Sequence, residues 1–175
     1  MPEGFRYRPE LIGRDEEQAL VRHIEALPFK PFEFHGYTGA RRVVSFGWRY
    51  DFARHVLEPA AAIPDFLLPL RDKVAAFSGL EAEAFRQVLV LEYAPGAGIG
   101  WHRDRPQFRE IAGVSLLAAC PFRLRRRRGE GWDRATARVE PRSAYMLDGP
   151  SRTDWEHSIP PLDALRYSVT FRTFR

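Results

Sequence analysis

Cysteine is nearly absent from this chain: Cys120 stands alone among 175 residues. A single thiol excludes an internal disulfide and fits a reducing, cytoplasmic compartment. Such a residue is most simply a small buried core side chain. No stretch approaches the roughly 20 consecutive apolar residues that a membrane-spanning helix needs, and the N-terminal segment lacks the apolar run of a signal peptide. Internal repeats, low-complexity linkers and shifts of composition are also missing, so residues 1–175 are expected to form one domain. Nothing in the sequence indicates an oligomeric state. The charge is not extreme either. A net charge of +4 and a pI near 9.6 permit a nucleic-acid partner without requiring one. What the chain does have is 14 prolines and 13 glycines, a punctuation suited to many turns and short strands rather than to a helix bundle.

The pattern along the chain agrees with that. Asp15-Glu16-Glu17-Gln18 predicts a capping box opening a helix, with Leu20, Ile24 and Leu27 at helical spacing and Pro28 as its stop. A second helix is predicted from Pro64 to Phe77, ended by Gly79. Between the two, Arg42 to Trp48 looks like a strand ending near Gly47, whereas residues 30–40 show no clear period. From Arg86 onward strand signals dominate: 86–93, 99–104, 111–119, 122–128, 132–139, 143–147, 155–159 and 165–173. Gly129-Glu130-Gly131 and Pro141-Arg142 mark tight turns. Helices first and short strands afterwards predict an α+β fold. The expected core is a double-stranded β-helix of jelly-roll type, with the N-terminal helices packed on one sheet.

Chemistry concentrates in Gly100-Trp101-His102-Arg103-Asp104, with His157 well downstream. Residues i and i+2 of a strand point to the same side, so His102 and Asp104 can reach one metal ion. His157 would join them from a separate strand. Two histidines and one carboxylate form the facial set that holds Fe(II) and leaves positions open for oxidant and co-substrate. The last strand, Arg166 to Arg172, alternates at period two, with Arg166, Ser168, Thr170 and Arg172 on one face. Arginines on an inward face call for an anion, because a buried charge is costly unless paired. A guanidinium clamps a carboxylate through two hydrogen bonds, and 2-oxoglutarate offers that carboxylate plus a keto acid that can chelate iron.

The stretch Tyr93-Ala94-Pro95-Gly96-Ala97-Gly98-Ile99-Gly100-Trp101-His102-Arg103-Asp104, the Gly149-Pro150-Ser151-Arg152 run ahead of His157, and the Arg166–Arg172 strand resemble the AlkB family of Fe(II)/2-oxoglutarate dioxygenases. The likeness runs from about Val88 to the C-terminus. It implies the double-stranded β-helix and assigns iron to His102, Asp104 and His157, which would be the catalytic set. It also assigns 2-oxoglutarate to Tyr93, Arg166, Ser168 and Arg172, with O2 as the second co-substrate. Three positions depart from the family's usual pattern. Leu91 stands where Asn is usual, Ser168 where Asn is frequent, and Pro106 where the family's well-known DNA-repair member has a carboxylate near the flipped base.

The activity the resemblance implies is oxidative demethylation of alkylated nucleobases in DNA or RNA, as in DNA repair. The alternatives are the same oxidation of a protein side chain or a modified tRNA nucleoside, or a non-enzymatic binding module, which the complete ligand set argues against. A base must leave its stack to be reacted upon. Within the aromatic set Phe32, Phe34, Tyr37, Phe46, Trp48 and Tyr50 some rings must pack in the core under the helices; the others are placed as a lid for a base, with Phe46, Trp48 and Tyr50 as the candidate substrate contacts, and Arg41 and Arg42 serve either as phosphate contacts or as a soluble strand edge. His35 is a further candidate contact, whereas His23 and His55 read as surface residues. Arg125-Arg126-Arg127-Arg128 is either a nucleic-acid patch or a hairpin strand with arginines on both faces, two solvated and two paired with acids such as Glu130 or Glu140.

Overall fold

The structure is a computed structural model that describes residues 1–34 and 37–175, with side chains described outside 33–40. His35 therefore lies outside the described residues, as do the side chains of Phe34 and Tyr37. Strand β1 (Phe5–Arg8) leads into helix α1 (Arg14–Glu25), followed by β2 (Lys30–Phe34), β3 (Tyr37–Phe46), β4 (Trp48–Asp51), β5 (Val56–Pro59) and helix α2 (Leu68–Ser78). Strands β6 (Gln87–Tyr93), β7 (Ile99–His102), β8 (Phe108–Leu116), β9 (Cys120–Arg128), β10 (Gly131–Val139) and β11 (Ala144–Leu147) come next. The short helix α3 (Gly149–Thr153), β12 (Glu156–Ile159) and β13 (Arg166–Phe174) complete the order.

The strands make a major sheet, ordered β1-β11-β8-β13-β6-β3-β2, and a minor sheet, ordered β10-β9-β12-β7; β4 and β5 form a separate hairpin. Within these sheets, β6 to β13 contribute four strands to each layer: β11-β8-β13-β6 faces β10-β9-β12-β7. That is a double-stranded β-helix, as expected, extended at both edges of the major sheet by N-terminal strands. The eight strand positions expected after residue 86 are all present, within a few residues at their ends.

Alternation of side chains fixes what each layer faces. On β13, Tyr167, Val169 and Phe171 join Ile24, Leu67, Leu70, Val74 and Phe85 in a core between the major sheet and the helices. The opposite face looks into the barrel, where Tyr93, Phe108, Ile111, Cys120, Phe122, Leu124 and Tyr145 form a second core between the sheets. Cys120 is buried there as a free thiol. Helix α1 begins one residue before the predicted Asp15, with Gly13 as its N-cap and Glu16 reaching back to the Gly13 N–H at 3.5 Å. Its Glu17 is drawn inward. The carboxylate accepts from the Leu117 N–H (3.0 Å) and the Arg142 guanidinium (3.2 Å), tying the helix to two turns whose residues have positive φ. Gly79 ends α2 in the left-handed conformation, as its sequence position predicts.

One glycine positions the site. Gly47 has φ +75°, and a Cβ there would lie 2.1 Å from the Arg86 carbonyl oxygen. Only glycine permits this approach. The break turns the chain from β3 into β4, which brings Tyr50 to the barrel mouth.

Candidate active site

The pairing of β7 with β12 sets His102 directly opposite His157. Their rings are 4.2 Å apart between centroids. Asp104 lies two residues beyond the last β7 residue but one carboxylate oxygen still turns back, 3.5 Å from His102 Nε2 and 3.8 Å from His157 Nε2. One ligand atom from each of the three residues lies within 4.8 Å of the others. His102 Nδ1 is 2.9 Å from the Gly100 carbonyl oxygen. A proton on Nδ1 donates there, which leaves Nε2 with its lone pair aimed at the common point. His157 is stacked on Phe122 at 5.2 Å. Burial pushes its pKa down to about 3, helped by His102 alongside, so its imidazole is neutral as a metal ligand must be.

Burial works against a charged Asp104. The Arg172 guanidinium and the hydrogen bond with His102 outweigh it and hold the carboxyl well below the usual range. Arg172 Nε and Nη2 each sit 2.8 Å from one Asp104 oxygen, and Nη1 donates to Gln87 at 2.9 Å. Arg172, expected beside Arg166 as a clamp on the co-substrate, lines the same cavity, and its donors meet the Asp104 carboxylate and Gln87. The sequence showed two arginines on one face but not how far along β13 each lies from the metal end.

Arg166 is different. It is fully buried and donates from Nε to Ser115 at 2.9 Å, while Nη1 and Nη2 have no partner among the described residues. Its guanidinium lies 5.1 Å from the ring centre of Tyr93, its cross-strand neighbour. Two adjacent unpaired N–H groups on a buried cation are costly unless an anion completes them. Ser168 is buried on the same face and lines the cavity with Tyr93, Leu91 and Thr170. Burial pushes the nearby Tyr145 phenol well above its ordinary pKa, so that group remains a neutral donor. A Cβ on Gly113 would come within 2.4 Å of the Tyr145 ring, so glycine makes the space that the phenol fills.

The cavity above the triad has a volume of about 790 Å³ and is lined by Phe32, Tyr50, Phe52 and Trp101 as well as by Asp104 and both histidines. Of the substrate contacts expected from sequence, Tyr50 and Arg41 face it. Arg41 is buried, 4.5 Å above the Phe32 ring and 5.9 Å from Tyr93. That placement fits contact within the cavity, not a surface phosphate contact. Arg42 points the other way, as period two requires, and pairs bidentately with Glu92 at 2.6 and 2.8 Å. Phe46 is buried in the core beneath the helices. Trp48 packs edge-on against Phe174 and under Arg86. Neither lines the cavity, so the expected roles of Phe46, Trp48 and Arg42 as substrate or phosphate contacts are corrected. The lid-like position in sequence said nothing of which face each ring takes.

Sequence reasoning missed Phe52 as a wall of the cavity and did not assign a role to Arg152. Arg152, on α3, donates to the Arg105 and Phe108 carbonyls at 2.6 and 2.9 Å, bracing the segment that follows Asp104. It sits in the Gly-Pro-Ser-Arg run, the one signal that pointed to it. The arginine run on β9 is occupied as a hairpin strand would have it. Arg125 pairs with Glu156, and both Arg126 and Arg128 pair with Asp133. Arg125 also stacks on Trp101 and Trp132 at 4.5 and 4.1 Å. The acids are Glu156 and Asp133 rather than Glu130 and Glu140.

Residues 13–172 match the 2OG-Fe(II) oxygenase superfamily. The chain is 35% identical to the human DNA oxidative demethylase ALKBH2 over 93% of this chain and 70% of that protein. It is 24% identical to an Arabidopsis thaliana ALKBH8 homolog, termed an alkylated DNA repair protein, over 98% of this chain and 56% of that one, so it spans little more than half of the latter's length. The solved structure of OsALKBH1 superposes with a TM-score of 0.74 at 17% identity, covering 99% of this chain and 98% of that chain, which places the fold. With a double-stranded β-helix, a buried arginine at its base and two histidines with one aspartate at its mouth, the chain belongs to the AlkB family of the 2OG-Fe(II) oxygenase superfamily.

Proposed function

We propose that this protein is an Fe(II)/2-oxoglutarate-dependent dioxygenase that oxidatively demethylates alkylated nucleobases in DNA or RNA. The observation that carries the reading is the fully buried Arg166, two of whose guanidinium nitrogens have no partner among the described residues, in the same barrel as the His102–Asp104–His157 cluster. The donor set fits the metal: two neutral imidazoles and one carboxylate held ionised suit Fe(II). The anion cradle fits a dicarboxylate reaching from Arg166 toward that cluster. His102, Asp104 and His157 would hold iron. Arg166 would bind the distal carboxylate, with Ser168 and the Tyr93 ring beside it.

Bound iron supplies oxygen activation coupled to loss of CO2 from 2-oxoglutarate. The chain's residues do the rest. Arg172 orients Asp104 and sustains its charge. Gly100, through its carbonyl, fixes the His102 ring. Tyr50, Phe52 and Trp101 enclose the substrate and exclude water from the reacting carbon. Overall, an N-methyl group, O2 and 2-oxoglutarate give an N-hydroxymethyl group, succinate and CO2. The hydroxymethyl carbon then leaves as formaldehyde and the nitrogen keeps a hydrogen. Support for a nucleic-acid substrate comes from the ALKBH2 likeness and from a cavity large enough for a base beside the co-substrate.

We also read residues 1–175 as one dioxygenase domain, because the N-terminal helices share a core with the barrel's outer face. No helix among the described residues is long and apolar enough to cross a membrane. The buried free Cys120 supports a reducing, cytoplasmic location. The test is iron-dependent succinate release with methylated single-stranded oligonucleotides, scored by formaldehyde and by the mass loss of one CH2. Succinate without demethylation of any oligonucleotide, and with oxidation of a peptide instead, would overturn the substrate assignment and leave the dioxygenase assignment intact.

A further inference from the structure

We infer that Arg152 is a positioning residue for the metal ligands: with it, the short helix α3 grips the backbone on both sides of Asp104 and sets the place of that residue relative to His157. The inference rests on His102, Asp104 and His157 being the metal ligands. Of the three, Asp104 alone lies outside a strand. Strand β7 ends at His102 and β8 begins at Phe108, so the backbone of residues 103–107 takes no part in a sheet. A ligand on such backbone needs its rigidity from elsewhere, because a site works only when its groups are held within about 0.5 Å of the productive geometry. Arg172 fixes the Asp104 carboxylate, but other bonds hold the chain that carries it. On the near side, Arg103 Nη1 donates to the Thr153 carbonyl at 2.9 Å. On the far side, Arg152 Nη2 donates to the Arg105 carbonyl at 2.6 Å and to the Phe108 carbonyl at 2.9 Å. Arg152 and Thr153 both belong to α3, which leads into β12 and His157.

The residue chosen for this grip is a costly one. Arg152 is 5% exposed, and its Nε has no partner among the described residues. Burial pushes its pKa down, and the charge of Asp104 nearby works the other way. Burying a guanidinium is unfavourable unless something is gained. The gain here is reach and charge. A long side chain carries one donor group from α3 to two carbonyls, and its positive charge stands within electrostatic reach of the ionised Asp104. Helix α3 is itself held from a third place. Its five residues are too few to be stable unaided. The Asp148 side chain accepts from the Gly149 N–H at 2.6 Å. The carbonyls of Gly4 and Glu3 accept from the Asp148 and Ser151 N–H groups at 3.2 and 2.9 Å. Gly4 has φ +83°, and a Cβ there would lie 1.9 Å from the Asp148 carbonyl oxygen, so glycine is what lets the lead into β1 lie against α3.

Co(II) is the probe, since nitrogen and oxygen sites of this kind take it and its ligand-field absorption bands report how the ligands are arranged. Affinity is read by competition against a fluorescent chelator, the bands by absorbance, and the unfolding temperature on the metal-free protein. Arg152→Met keeps the length and loses the donors. It is expected to weaken Co(II) binding about tenfold, at the low end for groups that orient a metal ligand, and to shift the bands. Arg152→Lys, whose ammonium keeps both donors and charge, is expected to recover most of the affinity. Arg103→Met, at an exposed residue, and Gly4→Ala, at a residue that does not line the cavity, are expected to shift the same bands by less. A residue that served stability alone would lower the unfolding temperature and leave affinity and bands of the folded protein native. That result in Arg152→Met would overturn the inference. If Arg152→Met does not fold, Arg103→Met decides, and native affinity with native bands in that variant would overturn it. Failure of the native protein to bind Co(II) would instead overturn the metal-ligand assignment on which the inference stands.

Discussion

The two faces of strand β13 are made by one run of nine residues, and they do opposite things. The outward face, Tyr167, Val169 and Phe171, is apolar and closed under the helices. The inward face, Arg166, Ser168, Thr170 and Arg172, is polar, equally buried, and incompletely satisfied. Burial alone does not separate structural from functional residues here, since both faces are nearly solvent-free. Satisfaction does. The outer face gains from removing apolar surface from water. The inner face holds one guanidinium whose three nitrogens all have partners and another with two nitrogens that have none among the described residues. A strand can therefore carry stability on one side and chemistry on the other, and substitutions on the two sides should separate cleanly.

The largest separation is expected on the inner side. Arg166→Ala should weaken 2-oxoglutarate binding roughly ten- to a hundredfold or more, since hydrogen bonds to a charged group contribute about 1.5–3 kcal/mol. The unfolding temperature should not fall. Arg166→Lys should also bind poorly, because an ammonium lacks the two-pronged geometry. Titration with 2-oxoglutarate in the presence of a redox-inert divalent metal measures this directly. Unchanged affinity in the alanine variant would take the co-substrate away from Arg166. His102→Ala and Asp104→Ala should abolish turnover on the same folded scaffold.

On the outer side the prediction inverts. Phe171 is fully buried and packs edge-on to Phe85 at 6.2 Å. Phe171→Ala should cost about 3–5 kcal/mol of stability through lost burial and the cavity left behind, measured by urea unfolding. The 2-oxoglutarate affinity of the folded fraction should stay near the native value. If affinity collapses with stability, the two faces are not separable and the comparison fails.

Much of this division was legible in the sequence. Period-two alternation placed Arg166 and Arg172 on one face and put His102 and Asp104 within reach of one metal. It also located the strands after residue 86. What alternation lacks is depth along the strand. It could not show that Arg172 lies level with Asp104 while Arg166 sits deeper, beside Ser115, so it gave both arginines one role. The N-terminal region was read less well for a related reason. Residues 30–50 are rich in rings whatever face they occupy, and the turn at Gly47 resets which side points inward. Tyr50 thus reaches the cavity, whereas Phe46 and Trp48 pack elsewhere. Helix α3 has only five residues, too few to show a helical period.

An intermediate effect should distinguish the two arginines. Arg172 acts through Asp104, so Arg172→Ala should lower metal affinity about 10- to 100-fold, the usual consequence of losing a group that orients a ligand. Competition against a fluorescent chelator reads this out. Its effect on 2-oxoglutarate affinity, measured at saturating metal, should be smaller than that of Arg166→Ala. The reverse order would reassign Arg172 to the co-substrate.

The smallest effect is expected where the same alternation operates on β3. Arg41 and Arg42 are neighbours in sequence but face opposite ways. Arg41 lies in the cavity wall, and Arg42 pairs with Glu92 on the helix side, half-exposed and next to Phe29. Surface ion pairs contribute little because water and salt screen them. Arg42→Ala should therefore leave kcat/KM and the salt dependence of oligonucleotide binding within about twofold of native, by the weakness of such pairs. Arg41→Ala should change turnover by removing a guanidinium from the cavity. Measuring both variants across a salt series checks the pair together. A flattened salt slope in Arg42→Ala, by about one phosphate's worth, would mean that the nucleic acid wraps onto the helix-side face. The division between the two sides of the major sheet would then hold for β13 but not for β3.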